Sequence, residues 1–380
     1  MKRSLHLLVA ICVSGLMGSF PSLAATGSFT ATGSMAFPRQ SHTATLLPNG
    51  SVLVTGGMNA TGTLATAELF HPASGSFTRT GNMKTARQGH TATLLLDGSV
   101  LITGGANAAG GLATAELFHP ASGTFTSAGT MKTARAGHTA TLLNNGKVLV
   151  AGGGTATAEL FDPRTGQFTS VGDMNASRIY HTATRLISGE VLIAGGTAFD
   201  TGETALGELF NPTTEKFTVS TNAGTTSLLL AAAMLPNGNV LLTGGELAGR
   251  SCGFCGTPLI SSTNVAFLFN NSTAKFSETG AMSNSLASHT ATLLTSGQVL
   301  AAGGRFIISF CNRGGCPRVL TKATTVAELY NPATGNFAAT GAMTTARSAH
   351  TATLLGNGKV LVVGGMDVNG NALASAELYQ

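Results

Sequence analysis

Six of the nine histidines, His42, His90, His138, His181, His289 and His350, open the same four-residue stretch, His-Thr-Ala-Thr. Imidazole nitrogens are common metal ligands, so six in register could present a ring of donors to one ion. His181 also follows Tyr180, one of only three tyrosines, which makes Arg178-Ile179-Tyr180-His181 a second possible metal site. Two close cysteine pairs, Cys252 with Cys255 and Cys311 with Cys316, have the spacing of a four-thiolate zinc site or of disulfides. Arg39, Arg87, Arg135, Arg178 and Arg347 each stand three residues before one of these histidines, and Glu68, Glu116, Glu159, Glu208, Glu328 and Glu377 recur further on. Such charges pair with one another, or the arginines line a channel mouth and meet acidic ligands.

The elements that position these residues are repeated. The doublets Gly56-Gly57, Gly104-Gly105, Gly152-Gly153, Gly195-Gly196, Gly244-Gly245, Gly303-Gly304 and Gly364-Gly365 lie 48, 48, 43, 49, 59 and 61 residues apart. Before each doublet, two strand-like runs flank Asn-Gly or a close relative, the signature of a two-residue hairpin with positive φ at both central positions. After it, a second pair of runs, Ala-Glu-Leu-Phe and Gly-x-Phe-Thr, flanks a Pro- and Gly-containing turn. Four short strands per unit, repeated seven times, predict an all-β fold: a seven-bladed β-propeller of four-stranded antiparallel blades. The last unit stops at Ala376-Glu377-Leu378-Tyr379-Gln380 without a fourth strand, and Gly27-Ser28-Phe29-Thr30 reads as that strand. The N-terminal strand is therefore expected to close the propeller, within a single domain of residues 25–380.

The glycine doublet after an apolar strand, the aromatic-x-Pro turn, the later aromatic and Met-x-x-x-Arg before the next strand resemble the kelch repeat, and the resemblance runs over residues 25–380. Phe stands where kelch units usually carry Trp, a residue this chain lacks. Unit 5 departs further, with Leu230 for histidine and Phe267 for glutamate. A local resemblance to galactose oxidase implies copper, with Tyr180 an axial ligand and His181 an equatorial one. That chemistry also needs a tyrosine cross-linked to cysteine and a further histidine, and Tyr330 and Tyr379 fall instead at the third-strand aromatic position.

Equivalent positions on packed sheets lie roughly 10 Å apart, whereas ligands of one zinc stand about 2 Å from it. The six histidines are accordingly read as structural, bonded to a neighbouring unit, and no metal, cofactor or catalytic residue is assigned. The cysteines sit in two insertions, residues 246–263 and 305–323, read as long loops without hydrophobic anchors. Disulfides among Cys252, Cys255, Cys311 and Cys316 would rigidify them, in any of three connectivities. Arg250, Arg305, Arg313 and Arg318 give these loops a basic character and mark a candidate binding surface.

Residues 1–24 combine Lys2-Arg3, an apolar run and Ser22-Leu23-Ala24, the pattern of a secretory signal peptide. Export, to the medium, periplasm or cell surface, favours disulfides over zinc. Beyond residue 24 the formal charge is +3, too mild for nucleic acid, and no run suits a membrane span. The expectation is a monomeric binding module for an extracellular protein or glycan; the alternatives are a copper oxidase using Tyr180 and His181, and an architectural envelope or matrix protein.

Overall fold

The computed structural model describes residues 27–196, 206–222, 229–251, 258–310 and 318–380. They are all-β: no helix occurs among them, and eight antiparallel four-stranded sheets account for nearly all the strands. Seven sheets correspond to the seven repeats. In the third, Thr139–Leu142, Val148–Ala151, Ala158–Asp162 and Gln167–Ser170 pair in sequence order. The arrangement is consistent with a β-propeller.

Burial follows strand position. Every second strand, from Val52–Thr55 to Val360–Val363, is buried at all four residues, which is why these runs are continuously apolar rather than alternating. The core lies between sheets. Val52, Val54 and Phe70 of the first unit pack with Leu361, Val363 and Ala376 of the last, and comparable clusters join the other neighbouring units. Full burial of one such aliphatic side chain is worth about 1.5–3 kcal/mol, so each sheet depends on its neighbours. The first strands touch in cyclic order, with Thr351–Leu354 also against Thr43–Leu46.

The seventh sheet takes its outer strand from the N-terminal segment. Phe29–Ala31 pairs with Ala376–Tyr379, with Phe29 opposite Tyr379. Their rings lie 4.9 Å apart, and the same aromatic contact recurs at 4.9–5.0 Å in the other six sheets.

Two local expectations are corrected. The first turn of each unit is a three-residue loop rather than a two-residue one: Leu47 N donates to Ser51 O, and the only positive φ in the turn is at Gly50, +84°. Asn49 keeps an ordinary φ because its Oδ1 accepts from Ser51 N at 3.0 Å, a local bond that fixes the turn. The described parts of the insertions are strands, not loops. Glu246–Ser251, Pro258–Ser262, Arg305–Phe310 and Arg318–Ala323 form the eighth four-stranded sheet in that order. Leu247, Ile260, Phe306, Ile307, Ile308, Val319 and Leu320 supply the β-forming and apolar character overlooked in a glycine- and cysteine-marked stretch.

Candidate functional site

Antiparallel order places the start of every first strand and the end of every second strand at one end of its sheet. The histidines, glycine doublets, arginines and insertions therefore share one face. Each histidine reaches into the preceding unit. His90 Nε2 lies 3.1 Å from Thr43 Oγ1 and 3.2 Å from Thr55 Oγ1, and His138 and His181 repeat the contact with Thr91 and Thr139. His289 meets Thr243, His350 meets Thr290, and His42 meets Thr351 of the last unit. Unit 5 has Leu230 at this position, and Thr182 of unit 4 donates to Ala194 O of its own sheet.

The doublet exists to let this ring in. Gly56 has φ +60°, and a Cβ there would stand 2.6 Å from both His90 Cε1 and Arg87 O. Burial pushes the histidine pKa values down, helped at His90, His138, His181 and His350 by the guanidinium three residues earlier. Those four reach about 3, and His289 about 4; His42 is likewise held well below the usual imidazole range. These imidazoles are neutral at pH 7.

The recurring charges pair. Arg39–Glu68, Arg87–Glu116, Arg135–Glu159, Arg178–Glu208 and Arg347–Glu377 have N–O distances of 2.8–3.0 Å and are almost wholly buried. This corrects the alternative of arginines facing acidic ligands at a channel mouth. Each arginine joins two units: the backbone N of Arg87 donates to Leu64 O of the first, while its guanidinium Nη1 donates to Gly104 O and Thr114 O of the second. In unit 6, where Leu286 replaces arginine, Glu328 accepts from Asn284 Nδ2 in place of a guanidinium and keeps the backbone bond, here from Ser283 N, that the arginine-bearing units also make. In unit 5, Phe267 fills the glutamate position as a buried core residue; Ser227, which stands at that unit's arginine position, lies outside the described residues.

The residues just before the histidines form a feature that the sequence reading missed. Ser41, Gly89, Gly137, Tyr180, Leu229, Ser288 and Ala349 all have φ between +51° and +63°. Gly89 N donates to Ser41 O, Gly137 N to Gly89 O, and the chain of bonds continues through Tyr180, Leu229 and Ser288 to Ala349. The available signal was the small residue at most of these positions, since left-handed backbone disfavours side chains. With the histidines they line a shallow cavity of ≈ 340 Å³. Tyr180 is the exception in size: half exposed, its ring leans on Gly137, where a Cβ would come 2.9 Å from Cε1.

A copper ion at Tyr180 and His181 needs further donors aimed at the same point. His181 Nε2 is held 2.9 Å from Thr139 Oγ1. Tyr330 OH bonds Thr279 and Tyr379 OH bonds Thr340, both away from the histidine face. Among the described residues, no three His, Cys, Asp or Glu side chains are grouped to hold a metal. The described residues do not fit the copper centre.

Of the predicted binding residues, Arg305 is ion-paired with Glu246 at 2.8 Å. Arg250 and Arg318 have their backbone in the strands Glu246–Ser251 and Arg318–Ala323 of the added sheet. Arg313 and the four cysteines, Cys252, Cys255, Cys311 and Cys316, lie outside the described residues. The two insertions nonetheless meet: Ser309 Oγ donates to Ile260 O and accepts from Ile260 N. No helix among the described residues is long and apolar enough to cross a membrane.

No protein-family model matches the chain, nor does any curated protein. Solved structures do. A fungal alcohol oxidase of the AA5 family, solved in complex with copper, superposes with a TM-score of 0.72 at 18% identity, covering 94% of this chain and 76% of that one. YjhT superposes with a TM-score of 0.53 at 13% identity, covering 91% and 96%. With the glycine doublets, paired aromatics and four-stranded sheets above, these likenesses give the chain the fold of the kelch-type and galactose oxidase-like β-propellers.

Proposed function

We propose that the protein is an exported, monomeric, non-catalytic binding module for an extracellular protein or glycan, built as a seven-bladed propeller that the N-terminal strand closes. Support for the closed seven-bladed reading comes from the cyclic order of first-strand contacts and from Phe29 opposite Tyr379. One observation carries the binding role. The repeat's arginines, glutamates and histidines are engaged inside the fold, whereas the two insertions leave it to build a separate sheet with exposed Ile308, Val319 and Leu320. A sheet outside the seven repeats, on the face that carries the insertions, is where repeat proteins place binding surfaces.

The test presents residues 25–380 to an array of extracellular glycans and proteins, beside a variant with residues 246–263 and 305–323 replaced by short turns. The variant is expected to keep a cooperative melting transition and to lose every specific array signal. Equal binding by both proteins overturns the reading.

A further inference from the structure

We propose that the strand Arg318–Ala323 is a docking edge for an extended acidic segment of a partner protein, which adds to the outer sheet by backbone hydrogen bonds and seats an apolar side chain beside Leu320. The proposal deepens the reading of the insertions as a binding surface and rests on it.

Sheet order puts this strand at an edge. Its inner side pairs with Arg305–Phe310, and among the described residues no strand pairs with its outer side. An unpaired edge offers a row of amide and carbonyl groups ready to accept another strand. The register sets Lys322 opposite Phe306 and Leu320 opposite Ile308, so these four residues share one face of the pleat. Together with Val368 of the last unit they line a groove of ≈ 510 Å³. Ile308 is 60% exposed, Leu320 62% and Val368 45%. Clustered exposed aliphatics of this kind mark interaction sites on soluble proteins.

Charge selects the occupant. Residues 246–263 and 305–323 hold five cations, Arg250, Arg305, Arg313, Arg318 and Lys322, against the single carboxylate Glu246. The rest of residues 25–380 holds fourteen cations and fifteen carboxylates, so the insertions carry the whole positive excess. Glu246 neutralises Arg305. Arg318 and Lys322 stand two residues either side of Leu320 in the edge strand. Asp367, next to Val368, uses its carboxylate on Asn369 and Asn371 of its own turn. A second copy is disfavoured as occupant, because antiparallel self-pairing about Leu320 would set Arg318 against Lys322 twice, and like charges directly opposite destabilise a ladder. A strand with acid, apolar and acid at alternate positions meets the same edge with opposite charge.

The probe is the fluorescein-labelled peptide Thr-Glu-Thr-Val-Thr-Glu-Thr, titrated by anisotropy into residues 25–380, beside the same peptide with Lys for Glu. Saturable binding of the Glu peptide, at least tenfold tighter than the Lys peptide and weakened at least tenfold by Lys322→Glu, is expected. Lys322→Glu should also improve binding of the Lys peptide, a gain that misfolding cannot produce. The proposal is overturned if the Glu peptide does not bind, if the two peptides bind equally, or if Leu320→Glu abolishes self-association in sedimentation or flotation with phosphatidylglycerol vesicles while no peptide binds. If the peptides fail yet the short-turn variant still loses its array signals, the docking edge falls and the binding-module reading stands.

Discussion

His42 Nε2 lies 3.1 Å from Thr351 Oγ1, so residues 309 positions apart share the hydrogen bond that joins most neighbouring units. The bond between the first and last units is chemically the same as those along the chain. Interior imidazoles thus act as couplers between sheets, and their behaviour is open to measurement.

The first prediction concerns acid. The folded-state pKa values of these histidines are lowered, to about 3 at His90, His138, His181 and His350 and about 4 at His289. On acidification the unfolded chain, with imidazoles near 6.5, therefore binds protons before the folded chain does. Stability is full above about pH 6.5 and is lost as pH falls toward about 3, with each buried imidazole contributing about 1.4 kcal/mol per pH unit inside that window. Urea midpoints measured at pH 7, 6 and 5 should fall steadily; equal midpoints at pH 7 and 5 would contradict the burial of the ring.

The second uses the protein's own irregular unit. Leu230 replaces the histidine, and Thr182 turns to Ala194 O. His138→Leu should therefore cost only about 1 kcal/mol, the net worth of one hydrogen bond, because Thr91 and Thr103 already bond each other at 2.6 Å. A loss of the cooperative transition would show that the imidazole does more than bridge threonines.

The third separates the buried ion pair from its substitute. Arg135→Leu leaves Glu159 buried without its cation and should cost about 3–5 kcal/mol. Adding Thr133→Asn reproduces the arrangement of Asn284 and Glu328 in unit 6, and part of the loss should return. Denaturant titrations of the single and double variants decide this, and an unrescued double variant would sink the explanation.

The fourth tests the terminal strand. Phe29 is 7% exposed and packs on Tyr379. Phe29→Ala should destabilise by about 3–5 kcal/mol, the usual cost of emptying a buried aromatic site. An unchanged melting temperature would mean that the segment contributes nothing to the last sheet.

Gly104→Ala is the fifth. Its φ is +58°, and a Cβ would stand 2.6 Å from Arg135 O, so strain and a backbone collision combine. Gly110→Ala, at φ +114° with nothing within 4 Å, bears the strain alone. Melting temperatures should rank the wild type first, Gly110→Ala second and Gly104→Ala last.

By itself, the sequence determined the all-β class, the seven units of four strands and the use of the segment Gly27-Ser28-Phe29-Thr30 as the strand missing after Ala376, observed as Phe29–Ala31 against Ala376–Tyr379. These follow from periodicity, turn residues and a missing strand, all local in the chain and repeated often enough to be unambiguous. It also indicated that the histidines were shared parts of the repeat. Only the tertiary structure decided their partners, because Thr43 and His90 meet across two sheets and neither residue type names the other. The left-handed positions from Ser41 to Ala349 were masked by varied side chains, although most are small. Above all, residues 246–263 and 305–323 read as loops because their β-forming residues were overlooked beside glycine and cysteine, and nothing in either segment names the other as its neighbour. Ser261 finds Ile308 only when neighbouring units stand side by side, so that sheet is a property of the assembled fold rather than of either segment.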